Sequence, residues 1–153
     1  HKASHEGRIA AEHIAGKKTA YEPKAIPAVV FTEPEIAWTG LTENEAKEQG
    51  RKIEVAKFPW SAAGRAATLG IRNGITKLII DPDNDRILGA GMAGKRAGTL
   101  IPEATLAIEM AAVAKDLELT IHPHPTLSET IMEAAEIYYG EPTHVFRKKK
   151  KKG

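Results

Sequence analysis

The chain has 153 residues, 42% hydrophobic and 27% charged, which is an ordinary globular composition and long enough for one domain with a real core. It contains no cysteine, so disulfide scaffolds, thiolate metal sites and thiol nucleophiles are excluded within this chain. The net charge of +2 comes from the end: residues 147–152 hold six of the 22 basic residues, which leaves 16 basic against 20 acidic residues in 1–146, a net of −4. A mildly acidic body does not resemble a nucleic-acid-binding face, and residues 147–153 read as a basic, disordered tail. No stretch approaches the ~20 apolar residues of a membrane span. The start, His1-Lys2-Ala3-Ser4-His5-Glu6, has neither an initiator Met nor a signal peptide's apolar region, and reads as a piece of something longer.

Residues 3–15 predict a helix, with Ile9, Ala10, His13 and Ile14 at helical spacing and Gly16 as its stop. Residues 17–27, with Pro23 and Pro27, are a connector. Ala28-Val29-Val30-Phe31 is a short apolar run with the look of a buried strand, and a turn at 32–35 leads to a second strand over 36–40. Thr42-Glu43-Asn44-Glu45 is a capping box opening a helix that ends near Gln49, before Gly50. Residues 53–58 predict a third strand, ended by Pro59. Residues 59–74 are irregular, with room for one helical turn. The runs 75–80 and 86–93 flank Asp81-Pro82-Asp83-Asn84-Asp85 and predict a hairpin. Residues 99–114 form the strongest helical pattern, with Leu100, Ala104, Ala107, Ile108 and Ala111 in one stripe. Residues 116–120 read as a connector, and Thr126-Leu127-Ser128-Glu129 as a second capping box, opening a helix to about Tyr139 with Gly140 behind it. Consecutive strands followed by helices indicate an α+β fold, an antiparallel sheet with helices packed on one side, and not a doubly wound nucleotide fold.

Chemistry concentrates in His122-Pro123-His124-Pro125-Thr126-Leu127-Ser128-Glu129. Two prolines stiffen the backbone around His124, and a capped helix follows, so the imidazole stands on a rigid corner, as an aimed acid/base requires. Glu129, five residues on, can reach one ring nitrogen and fix its tautomer, the His–carboxylate logic of catalytic triads. A blander reading stays open: Glu129 is placed three residues after Thr126 as a capping residue, and the histidines are ordinary partly buried ones. The two roles exclude each other only in part, because a carboxylate has two oxygens. Gly89, Gly91 and Gly94 form no dinucleotide fingerprint and read as strand and turn glycines. His1, His5 and His13 lack the acidic or thiolate partners of a metal site, so no metal is expected.

The stretches HKASHEGRIAAEHIAG, IPAVVFTEPEIAWTGLTENEAKEQG, FPWSAAGRA, TKLIIDPDNDRILGAGMAG, LAIEMAA and TIHPHPTLSETIMEAAE cover residues 1 to about 141. In them the chain resembles the C-terminal interface (dimerisation) domain of the dihydrolipoyl dehydrogenase family of flavoprotein disulfide oxidoreductases. The double-His form HPHPTLSE resembles the lipoamide enzymes more than the glutathione and mercuric reductases. The resemblance implies that residues 1–27 end a flavin domain and connect onward, that 28–146 are the interface domain, and that the whole enzyme is a cytoplasmic homodimer using FAD and NAD and serving the lipoyl domains of 2-oxo-acid dehydrogenase complexes. It implies that His124 is the acid/base toward a dihydrolipoamide thiol, that Glu129 orients it, and that the backbone at His124-Pro125, through a cis bond, touches the partner subunit's flavin. Departures matter too. The family's redox cysteines, flavin-binding Gly motif and nicotinamide domain are absent, so this chain alone is expected to hold no cofactor and to be inactive. Thr99 stands where the family often has an acidic residue, and Lys95-Arg96 and the Lys run have no assigned role. Ile137, Tyr138, Tyr139 and the 99–114 helix are the expected dimer contacts. Alternatives are a non-catalytic dimerisation or docking module, the same domain of another flavin disulfide reductase, or polyanion binding through the Lys tail.

Overall fold

The computed structural model describes residues 1–71 and 73–145; the tail expected at 147–153 and the last residue of the 28–146 domain lie outside the described residues. Helix α1 spans Lys2–Ile14 and ends at Gly16, whose φ of 81° suits a residue without a Cβ. None of its residues is buried, and Ile9 alone of its apolar stripe is half-buried. Strands β1 (Ala28–Val30) and β2 (Glu35–Gly40) pair antiparallel. The run expected as a buried strand is an edge strand instead, with Val30 43% and Phe31 82% exposed. Apolar β-branched composition favours a strand but does not say whether another layer covers it.

Helix α2 (Glu43–Glu48) opens on the predicted capping box: Thr42 Oγ1 accepts from Glu45 N at 3.2 Å, and Glu45 Oε2 accepts from Thr42 N at 2.8 Å. Strand β3 (Glu54–Pro59) is followed by a 3₁₀ turn over 60–62 and the short helix α3 (Gly64–Thr68). Strands β4 (Ile75–Ile80) and β5 (Ile87–Gly94) form the predicted hairpin. Three helices complete the chain: α4 (Ala97–Glu109), α5 (Ala114–Leu119) and α6 (Glu129–Tyr139).

The helix expected over 99–114 stops early, and the connector expected at 116–120 is largely helical. Ala111 adopts a φ of 57°, which lets Ala112 N bond back to Ala107 O at 2.8 Å and ends α4. Asp116 then accepts from Val113 N at 2.8 Å and starts α5. The break is held from outside: Ile87 N donates to Ala112 O and Ala114 N to Asp85 O, tying it to the hairpin turn. That tertiary anchor overrides the continuous local periodicity.

All pairings in the sheet are antiparallel, in the order β1-β2-β5-β4-β3, giving the expected α+β class. Helix α4 packs on β5 and β2 and α6 on β3 and β4, over one face. Phe58, Leu78, Ile80, Met92, Ile101 and Ile131 meet there as the main core. Each such side chain contributes about 1.5–3 kcal/mol by leaving water. The opposite face carries Ile36, Trp38 and Ile75, all substantially exposed. At one end of that face, Glu43 of α2 accepts from Lys77 Nζ at 2.6 Å.

Candidate active site

His124 stands at the mouth of α6. A cis His124–Pro125 bond precedes it, as the resemblance leads one to expect, and Thr126 Oγ1 donates to Pro123 O at 2.7 Å, closing the corner. His124 Nδ1 and Glu129 Oε1 lie 2.8 Å apart, while Glu129 Oε2 accepts from Thr126 N at 2.6 Å. The two readings of Glu129 are therefore both realised, one on each oxygen. The second capping box forms only in this half: α6 begins at Glu129, and the Thr126 hydroxyl faces Pro123 and Ser128.

The Glu129 side chain is 13% exposed, whereas that of His124 is 67% exposed. Burial pushes the Glu129 carboxyl up, but Thr126 N and the His124 ring outweigh it and hold the carboxyl below its ordinary value. A carboxylate on Nδ1 fixes the tautomer in which Nδ1 carries the proton, so Nε2 is the basic nitrogen. No described residue bonds Nε2.

The corner is seated from below by a buried relay. Trp60 Nε1 donates to Thr76 Oγ1 (2.9 Å), the Thr76 and Thr130 hydroxyls share a bond of 2.8 Å, and Thr130 Oγ1 donates to Leu127 O (2.8 Å). Trp60 is in turn clamped by glycines: a Cβ on Gly74 would lie 2.6 Å from its ring, and one on Gly94 only 2.2 Å. These contacts give Gly94 a packing role, in keeping with its reading as a strand glycine. The relay links the 60–74 segment, strand β4 and the first turn of α6.

His122 does not join the dyad. Its Nε2 meets Glu103 Oε1 and its Nδ1 meets Thr120 O, both at 2.8 Å, which joins the segment to α4. The bond to Glu103 raises the ring's pKa against the opposing effect of burial. Lys95, Arg96 and Thr99, left without a role by the sequence, line a cleft of about 400 Å³ beside Pro125, together with Arg65, Thr126 and Ser128. The residues expected at the dimer contact are partly spent inside the protomer: Ile137 is buried, and Tyr138 and Tyr139 donate to Asp85 at 2.6 and 3.3 Å. Sequence spacing also missed a second imidazole–carboxylate pair, His144 Nδ1 with Glu133 Oε1. Glu129 and Glu133 are four residues apart on one helix face, and that periodicity was the available signal. Among the described residues, no group of three or more His, Asp or Glu is arranged to hold a metal ion.

Comparison with known proteins decides the family. Residues 26–135 match the dimerisation domain of the pyridine nucleotide-disulphide oxidoreductases. The chain belongs to that family. It is 52% identical over 143 residues to the dihydrolipoyl dehydrogenase of Haemophilus influenzae, covering 94% of this chain and 30% of that enzyme. It is 51% identical to the dihydrolipoyl dehydrogenase of Thermus scotoductus, covering 97% and 32%. Among solved structures, LpdA from Mycobacterium tuberculosis superposes with a TM-score of 0.81 at 26% identity, over 89% of this chain and 30% of that one. The HOCl-induced flavoprotein disulfide reductase RclA from Escherichia coli gives 0.74 at 28% identity, over 81% and 29%. This dimerisation domain thus spans about a third of the length of the curated relatives it matches. No described helix is long and apolar enough to cross a membrane.

Proposed function

We propose that these residues are the interface domain of a dihydrolipoyl dehydrogenase, forming its homodimer and supplying the acid/base for NAD-dependent oxidation of dihydrolipoamide. The observation that carries the reading is Glu129, whose carboxylate aims His124 through Nδ1 while its other oxygen fixes the helix entrance. His124 Nε2 takes a proton from a dihydrolipoamide thiol, and the imidazolium that forms is stabilised by Glu129. The thiolate is then free to attack a disulfide, which a chain without cysteine must receive from elsewhere. FAD and NAD carry the electron pair in the resemblance family. The residues here would meet them only at an edge: the exposed His124–Pro125 corner would face a flavin of the partner subunit, whereas the Gly89-x-Gly91-x-x-Gly94 run lies wholly inside antiparallel strand β5 and forms no phosphate cradle.

Helix α1, with no buried residue, supports assigning residues 1–27 to the end of a flavin domain. Leu106 of α4 and Met110, the residue that ends it, are both exposed and support an apolar contact between two copies. The dimer so formed serves lipoyl domains in the cytoplasm, with neither nucleic acid nor membrane as partner.

The test is His124→Gln in the complete enzyme carrying this domain. Dihydrolipoamide turnover falls ~10²–10⁴-fold if His124 is the acid/base. A fall of less than about tenfold overturns the role and leaves a dimerisation module without chemistry.

A further inference from the structure

Behind the dyad lies a second pair of the same chemistry. Glu133 sits one turn after Glu129 on α6 and is 3% exposed, and its Oε2 is buried without a hydrogen-bond partner among the described residues. Its Oε1 meets Nδ1 of His144, a ring that remains 47% exposed. The segment carrying His144 is held to the helix by Glu136, whose Oε2 accepts from both N and Oγ1 of Thr143 at 3.0 Å. His124, Glu129, Glu133 and His144 all line one small void of about 10 Å³, together with Phe58, Ala63 and Gly64. That volume has room for about one water at most.

We propose that Glu133 and His144 form a second His–carboxylate pair coupled to the first through this shared void, with Glu133 a positioning residue whose charge governs how readily His124 takes up a proton. Among the described residues, the charged groups facing the His144 ring are Glu133, Glu129 and Glu136, all from α6. Strand β3 contributes only Phe58 to the void, and the approach to α3 only Ala63 and Gly64. With His144 protonated, the buried Glu133 carboxylate is compensated. When His144 gives up its proton, an uncompensated buried anion remains one helical turn from Glu129, and the nearby basic group able to answer it is His124. The bond to Glu133, then its charge, raises the His144 pKa against a small opposing burial effect, so the pair is protonated further into the neutral range than a free imidazole. The value of the coupling to catalysis rests on His124 being the acid/base; the coupling itself does not.

Imidazole-labelled NMR titration of the 153-residue chain tests it, with Glu133→Gln and His144→Gln as opposed variants. Replacing Glu133 removes a negative charge, so the pH at which the His124 ring titrates moves down by roughly half a unit or more. Replacing His144 removes a positive charge and leaves Glu133 bare, so the same pH moves up by roughly as much. Opposite signs are what charge coupling produces and a general loosening does not. His144 lies outside the helix and half exposed, so His144→Gln keeps the test open even if Glu133→Gln unfolds. A His124 titration in His144→Gln that superposes on the parent curve overturns the proposal. This outcome is independent of turnover in His124→Gln, so either reading can fail alone.

Discussion

Glu129 divides its two oxygens between a backbone amide and an imidazole. An amide in its place can still accept from Thr126, but it then turns its NH₂ toward His124 Nδ1. The ring must answer with an unprotonated Nδ1, which puts its proton on Nε2 and removes the base. Glu129→Gln in the complete enzyme is therefore expected to lose ~10²-fold or more in dihydrolipoamide turnover with its circular dichroism unchanged; turnover within about tenfold of the parent means that tautomer control is not how Glu129 acts. Glu129→Ala should show the same loss together with a lowered melting temperature, because the helix entrance loses its acceptor. His122 and Glu103 make a different prediction, about pH. The folded-state pKa of His122 is raised, so its contribution to stability is complete below the ordinary imidazole value of 6.5 and is lost as pH rises through the folded value. Urea midpoints of the parent and of Glu103→Gln should differ more at about pH 5.5 than at about pH 8.5. Equal differences at both would show that the charged form of His122 contributes nothing.

At the level of elements, the buried hydroxyl relay decides where α6 starts. Thr76→Val keeps the volume but leaves Trp60 Nε1 without its acceptor and Thr130 without one neighbour, an expected cost of about 1–3 kcal/mol in chemical denaturation. Gly74→Ala is expected to cost a similar ~1–3 kcal/mol, since its Cβ would enter the Trp60 ring and its φ of 147° disfavours a side chain. An Ala variant as stable as the parent would mean that Trp60 does not lock the segment. The capping box at Thr42–Glu45, the turn at 81–85 and the His124–Glu129 spacing were all legible in the sequence, because each rests on contacts within about five residues. The end of α4 at Glu109 was not, since it depends on Ala112 and Ala114 meeting Ile87 and Asp85, far earlier in the chain. The Glu133–His144 pair escaped for a similar reason: it needs Glu136 to fold the segment after Gly140 back along the helix. Composition also marked 28–31 as apolar without showing that β1 would lie at the rim of the sheet.

For the molecule as a whole, the dominant feature is asymmetry between the two sides of one sheet. Helices α4 and α6 seal one side, while Ile36, Trp38 and Ile75 stand substantially exposed on the other. Patches of this kind on a small domain promote association. Sedimentation of the isolated chain should therefore show a species larger than a monomer at tens of micromolar, and a strict monomer would count against a dimer built on these 153 residues alone. The same asymmetry places one indole on each side: Trp60 is fully buried, whereas Trp38 is 38% exposed. Nature has in effect fitted the domain with two lamps, one lit by the state of the interior and one by whatever settles on the bare sheet. A neutral quencher such as acrylamide should dim only the second. Any molecule that shields the second lamp while leaving the first unchanged will have announced its landing place by colour alone.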